Sequence, residues 1–229
     1  MLRRHDLVYL DQGCGHKLNV LAEHRPLLAN WLARGRPFVV GRQDDDDRQL
    51  RLGFTIPGTG PRRRVGVIAA FDHVTSHRLS PLLAELLDAS PQSWRPVMKS
   101  LMDAFAEVGL TPRGYGSLVN QFFSGENCLN GQSDLDVLID CEHRASAERA
   151  LAILEKNRLC MPKIDGELRM RQHWAVSWRE LAQALFTGGQ ILVKSDTAVQ
   201  LLSAHAFLDE PFDYENCYAH SAFNKTSTT

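Results

Sequence analysis

Apolar and polar positions alternate differently in the two halves of the chain, and that difference predicts its elements. Up to about residue 90, "RPFVVGRQ", "LRLGFTI" and "RRVGVIAAF" are β-rich runs separated by turn chemistry, the clearest being "IPGTGP" at 56–61. A short helix over "HRPLLANWLARG" precedes them, with Gly35 as its stop, and "LSPLLAELLDAS" follows as a helix capped by Ser80 with Pro81 in its first position. After residue 90 the helical period takes over: Val97, Leu101, Phe105 and Val108 recur on one face up to Gly109. Beyond it the pattern predicts a helix opening at Ser117, a strand "DLDVLID", a helix "ASAERALAILEKN" and a strand through "MPKIDGELRM". A helix "SWRELAQALFTG", a strand "QILVKS" and a final helix "TAVQLLSAHAF" complete the series, and the tail "NKTSTT" reads as frayed. The reading is of two domains, a small N-terminal α/β recognition domain at 1–90 and a larger mixed α/β domain at 91–229.

Composition narrows the function classes. The 229 residues are 44% hydrophobic and 23% charged, as in an ordinary globular protein. Twenty-six Lys and Arg against 27 Asp and Glu give a net charge of −1, so no basic footprint points to nucleic acid. No apolar run approaches the roughly 18 residues of a membrane span, and "MLRRHDLVYLDQG" does not read as a signal peptide, so a cytoplasmic setting is expected. Cys14, Cys128, Cys141, Cys160 and Cys217 are scattered without a CxxC pair, which argues against disulfides and thiolate zinc. Phosphate-loop, dinucleotide, nucleophile-elbow and kinase signatures are absent.

The chemistry lies in "GQSDLDVLID". Alternate residues of a strand share a face, so Asp134 and Asp136 project together with Cα atoms about 6.5–7 Å apart. Two carboxylates so placed suit a hard cation such as Mg2+, which leaves sites for water and substrate phosphate. Just upstream, Gly116 lets the backbone approach a ligand and Ser117 opens a helix whose unpaired amides favour anions. "KIDGEL" adds Asp165 and Glu167, either of which could be a third carboxylate. Each fragment has a plainer reading, a solvated turn for D-x-D and a helix cap for Gly-Ser. It is their order along the chain that carries the argument.

"YGS" at 115–117 with "SDLDVLI" at 133–139 resembles the nucleotidyltransferase superfamily of the DNA polymerase β type. More closely, "YGSLVNQ", "SDLDVLI", "DGEL", "SWRELA" and "ILVK", with "HDLVYLD" and "RPFVVGR" near the start, are similar to malonate decarboxylase holo-acyl-carrier-protein synthase, the phosphoribosyl-dephospho-CoA transferase family. The resemblance implies a nucleotidyltransferase-like C-terminal domain, a central mixed sheet with flanking helices. It implies transfer of the prosthetic group from triphosphoribosyl-dephospho-CoA to a serine of the acyl-carrier subunit of malonate decarboxylase, with release of pyrophosphate. Asp134 and Asp136 would hold Mg2+, and Gly116 and Ser117 would cradle the triphosphate. Lys194 at a strand end and Arg113 before the Gly-Ser turn are further candidates for phosphate. The alternatives are a nucleotidyltransferase of other specificity and a noncatalytic nucleotide-binding module.

"RRR" at 62–64 suits docking of an acidic carrier protein and a hairpin edge kept soluble by charge equally well. "DDDD" at 44–47, the Trp174 and Trp178 pair, and His143 and His173 are read as solvated or structural.

Overall fold

The computed structural model describes residues 2–44, 48–58, 63–170 and 174–209. Asp45 to Asp47, Arg62, His173, Cys217 and the "NKTSTT" tail, all discussed above, lie outside the described residues.

The N-terminal half is one antiparallel sheet with a helix on one face. Its strands are β1 (Leu7–Leu10), β2 (Phe38–Val40), β3 (Gln49–Thr55), β4 (Arg64–Ala70) and β5 (Val74–Arg78), in spatial order β4-β3-β2-β1-β5. β3 shows how the sequence dictates this layer: Leu50, Leu52 and Phe54 are buried, while Arg51, Gly53 and Thr55 point the other way. Helix α1 (Arg25–Ala33) covers the apolar face with Leu28, Trp31 and Leu32, and Trp31 stacks on Phe54 at 4.7 Å. β1 and β5 were not expected from the pattern. β5 is half-exposed along its length, so no alternation marks it.

The C-terminal half is a six-stranded mixed sheet, ordered β11-β10-β9-β8-β7-β6. Its elements are α2 (Arg95–Glu107), β6 (Arg113–Gly114), α3 (Gly116–Ser124), β7 (Leu135–Cys141), α4 (Arg144–Lys156), β8 (Ile164–Met170), β9 (Ala175–Ser177), α5 (Trp178–Thr187), β10 (Gln190–Lys194), β11 (Val199–Ser203) and α6 (Ala204–Leu208). β7 and β8 run parallel, joined through α4 as such a pair requires, and the other described pairs are antiparallel. One sheet face, with Leu135, Val137, Ile139, Ile164 and Leu168, packs into the core under the helices, where Met98, Leu101, Phe105, Trp174 and Trp178 also lie. His143 caps α4, its Nδ1 accepting from the Ser146 amide at 3.1 Å, the structural role expected of it.

Two sequence expectations change. Residues 81–90 do not form a helix from Pro81: only a 3₁₀ turn at Leu83–Leu86 appears, and Leu82 bridges to Arg113. Leu83 and Leu86 are fully buried in the C-terminal core, so this stretch packs with the larger domain. "TAVQLLSAHAF" is not one helix but β11 followed by the short α6. The Ser195 hydroxyl accepts from the Ala198 amide at 2.9 Å, turning the chain into a hairpin with β10, and Ser203 then caps α6 by accepting from the Ala206 amide at 3.1 Å.

Candidate active site

The second face of the C-terminal sheet carries the chemistry. Asp136 and Asp165 are in register on the adjacent parallel strands β7 and β8, so their side chains leave the same face about one strand spacing apart. Glu167 and Arg169 follow on that face of β8. Gly166, between Asp165 and Glu167, is demanded by geometry: at φ +148°, a Cβ there would stand 1.9 Å from the Val137 carbonyl oxygen.

The start of α3 is built onto Asp136. The Tyr115 amide donates to the Asp136 carbonyl at 3.1 Å, and Gly116 turns the chain at φ +71°. A Cβ on Gly116 would lie 2.0 Å from Asp136 Oδ2, so only glycine lets the helix begin against that carboxylate. No side chain caps α3, and its first amides lie at the cleft with Gly116, Ser117 and Asn120. The Tyr115 phenol is pushed above its ordinary value by burial and then by the charges of Glu167, Asp136 and Asp165.

The N-terminal arm closes one side. Arg4 Nη2 donates to both oxygens of Glu167, at 3.0 and 3.2 Å, and His5 Nε2 lies 3.3 Å from Glu167 Oε2. Lys194 Nζ is 3.7 Å from the same carboxylate. Burial opposes ionisation of Glu167, but the His5 hydrogen bond and the charges of His5 and Arg4 outweigh it and hold the carboxyl at about 2. His5 takes a left-handed backbone at φ +71°, the one non-glycine to do so among the described residues, and its ring lies 4.3 Å from that of Tyr115. Arg169 forms a two-pronged pair with Asp140, at 2.6 and 3.0 Å, and donates to the Arg4 carbonyl.

Between this face and the N-terminal sheet runs a cleft of about 430 Å³. Asp136, Gly116, Ser117, Asn120, Tyr115, Arg4 and His5 line one side, and Val39, Arg51, Gly53, Thr55, Arg64 and Gly66 the other. The Asp136 carboxylate and the arginines Arg4, Arg51 and Arg64 thus share one cavity, a combination that suits a phosphate-bearing ligand with a cation.

The sequence candidates divide accordingly. Gly116, Ser117, Asp136, Asp165 and Glu167 come together, with Lys194 beside Glu167. Asp134 precedes the first residue of β7 and lies 3.5 Å from Lys163 Nζ. Arg113 is turned to the interdomain segment, donating to the Ser80 carbonyl at 2.7 Å, and is not brought into the cleft. Among the described residues no three His, Cys, Asp or Glu side chains form a metal-binding group by themselves. Asp136 and Asp165 nevertheless fit Mg2+, which accepts one or two carboxylates and completes its shell with water and substrate phosphate. Arg4, His5, Tyr115, Arg51 and Arg64 were not foreseen as site residues. Signals existed for three of them: "HDLVYLD" contains His5 and "YGS" contains Tyr115, both within the family resemblance, and Arg64 ends the "RRR" run.

Residues 82–205 match the family described as phosphoribosyl-dephospho-CoA transferase MdcG C-terminal domain, and residues 3–79 match the corresponding N-terminal domain. The phosphoribosyl-dephospho-CoA transferase of Xanthomonas campestris pv. campestris (strain 8004) is 28% identical over 213 residues, covering 92% of this chain and 98% of the relative. Its namesake in Bradyrhizobium diazoefficiens is 29% identical over 212 residues, 90% of this chain and 92% of that one. The one in Pseudomonas syringae pv. tomato is 26% identical over 203 residues, covering 87% and 90%. No solved structure matches the chain.

Proposed function

Because the chain belongs to the phosphoribosyl-dephospho-CoA transferase family, we propose that it moves the phosphoribosyl-dephospho-CoA group from triphosphoribosyl-dephospho-CoA to a serine of the acyl-carrier subunit of malonate decarboxylase. The serine Oγ attacks the α-phosphorus and releases its proton to solvent, a new P–O ester bond forms, the α–β bridging P–O bond breaks, and pyrophosphate leaves with the electron pair. The observation that carries this reading is the start of α3 seated on Asp136: an anion-favouring helix terminus and a carboxylate within one cleft.

Each residue then has a task. The α3 amides at Gly116 and Ser117 take the triphosphate oxygens. Asp136 and Asp165 would hold Mg2+, with Asp134 at the mouth. Bound there, the ion would neutralise charge on the attacking and departing oxygens. Glu167 is engaged by Arg4, His5 and Lys194, so its task is to fix the arm that walls the site, and Asp165 serves as the third carboxylate. Lys194 stands where it can meet a phosphate at the rim. No helix of the described residues is long and apolar enough to cross a membrane, and we place the reaction in the cytoplasm, where apo carrier is made.

The test is direct. The protein is incubated with Mg2+, triphosphoribosyl-dephospho-CoA and apo acyl-carrier subunit, and the carrier is weighed by intact mass spectrometry. Gain of the phosphoribosyl-dephospho-CoA mass, lost in Asp136→Asn and in Asp165→Asn, is the expected result. Turnover of ordinary nucleoside triphosphates with an unmodified carrier would replace this reading with a nucleotidyltransferase of other specificity.

A further inference from the structure

Across the cleft from α3, the N-terminal sheet presents a patch without side chains. Gly53 on β3 and Gly66 on β4 are directly paired, with Val39 of β2 beside Gly53 in the same row. Strand interiors disfavour glycine, because it carries extra backbone entropy into folding and has nothing to pack. The backbone does not require it here, since neither residue lies in the left-handed region. Packing does not require it at 66 either: a Cβ there would meet nothing within 4 Å. What a side chain at 66 would fill is the cleft itself.

The flanking positions are cationic and polar. Two residues along each strand from the glycine pair, and on the same face, come Arg51 on one side and the paired Thr55 and Arg64 on the other. These flanking rows are about 13 Å apart, four residues of extended strand. Arg64 is exposed and has no carboxylate partner among the described residues, whereas Arg51 pairs with Asp44. A bare floor between cations suits a flat ring carrying an anionic arm, the ring lying on the backbone and the phosphates reaching a guanidinium.

Resting on the function proposed above, we infer that this patch is the seat of the nucleotide half of the substrate: a purine ring lies on Gly53 and Gly66, and its diphosphate is paired by Arg64. The triphosphate end lies across the cleft at Gly116 and Asp136. Both domains therefore hold one substrate, and the N-terminal domain selects it by its adenine nucleotide.

Binding of dephospho-CoA, which lacks the triphosphoribosyl end, tests this by titration calorimetry on the full chain. Gly66→Leu keeps an allowed extended backbone and is expected to weaken dephospho-CoA at least tenfold with the thermal midpoint within two degrees of the parent. Arg64→Gln, on the surface, is expected to weaken it three- to tenfold and to flatten its salt dependence. In the transfer assay both raise KM more than they lower kcat. If the parent transfers the group but Gly66→Leu and Arg64→Gln bind dephospho-CoA as the parent does, the inference fails alone. If the parent neither transfers nor binds, the functional reading fails and takes the inference with it.

Discussion

Glu167→Gln keeps the shape of a side chain wedged between the two domains and deletes its charge. In the folded protein the carboxyl titrates at about 2 against an ordinary 4.5. At about 1.4 kcal/mol per pH unit, that difference stabilises the folded state by roughly 3 kcal/mol at neutral pH. The side chain is only 9% exposed, so solvent screening takes little from this figure. Because the folded value lies below the unfolded one, the stabilisation is fully present above about pH 4.5 and is lost as pH falls towards 2. Glutamine also leaves Arg4, His5 and Lys194 facing one another without a counter-charge. Urea unfolding at pH 7 should therefore give a parent about 3 kcal/mol more stable than the variant, and the gap should shrink to less than half by pH 3. A gap below about 1 kcal/mol at pH 7, or one that stays constant down to pH 3, would refute the role given to this carboxylate.

Gly166→Ala places a methyl 1.9 Å from the Val137 carbonyl at φ +148°, and should lower stability by roughly 3 kcal/mol or more, read as a fall in the urea midpoint. Gly116→Ala strains a left-handed residue and presses on the Asp136 carboxylate from 2.0 Å. It should keep a native circular dichroism spectrum while transfer falls about a hundredfold, the usual effect of displacing a reacting group by an ångström. Asp140→Ala strips Arg169, which is 4% exposed, of its two-pronged partner. Since Asp140 itself is half-exposed, the loss should be about 2 kcal/mol, measured by denaturant unfolding.

Much of the C-terminal domain could be read from its periodicity. α2, α4 and α5 each carry one apolar face, and β7 and β8 are apolar on the side that enters the core, so local pattern and tertiary burial agree. The D-x-D strand, the Gly-Ser turn and the second acidic pair were legible for the same reason: each is a local spacing. Where reading failed, the deciding contact was distant or the local signal was double. "AVQLL" serves a helix or a strand equally well, and the turn at Ser195 chooses. Asp165 and Glu167 share a face, and alternation does not distinguish them; the contacts that differ, from Arg4 and His5 to Glu167, come from the far end of the chain. Asp134 and Asp136 look alike by alternation, but the strand begins only at Leu135, and Asp134 lies 3.5 Å from Lys163 Nζ. On the N-terminal wall of the cleft, Gly53 and Gly66 are 13 positions apart in sequence and become neighbours only when β3 and β4 pair, so no local spacing marks them.

The bond from Arg4 to Glu167 spans 163 positions of sequence. Ribosomes add about 5–20 residues per second, so the arm is synthesised roughly 8–33 s before its anchor. The N-terminal sheet, whose last strand ends at Arg78, can form during that delay. The contact between the arm and the C-terminal sheet cannot. The arm is tied to that sheet only after synthesis has passed Glu167, so the joining of the two halves is timed by translation itself.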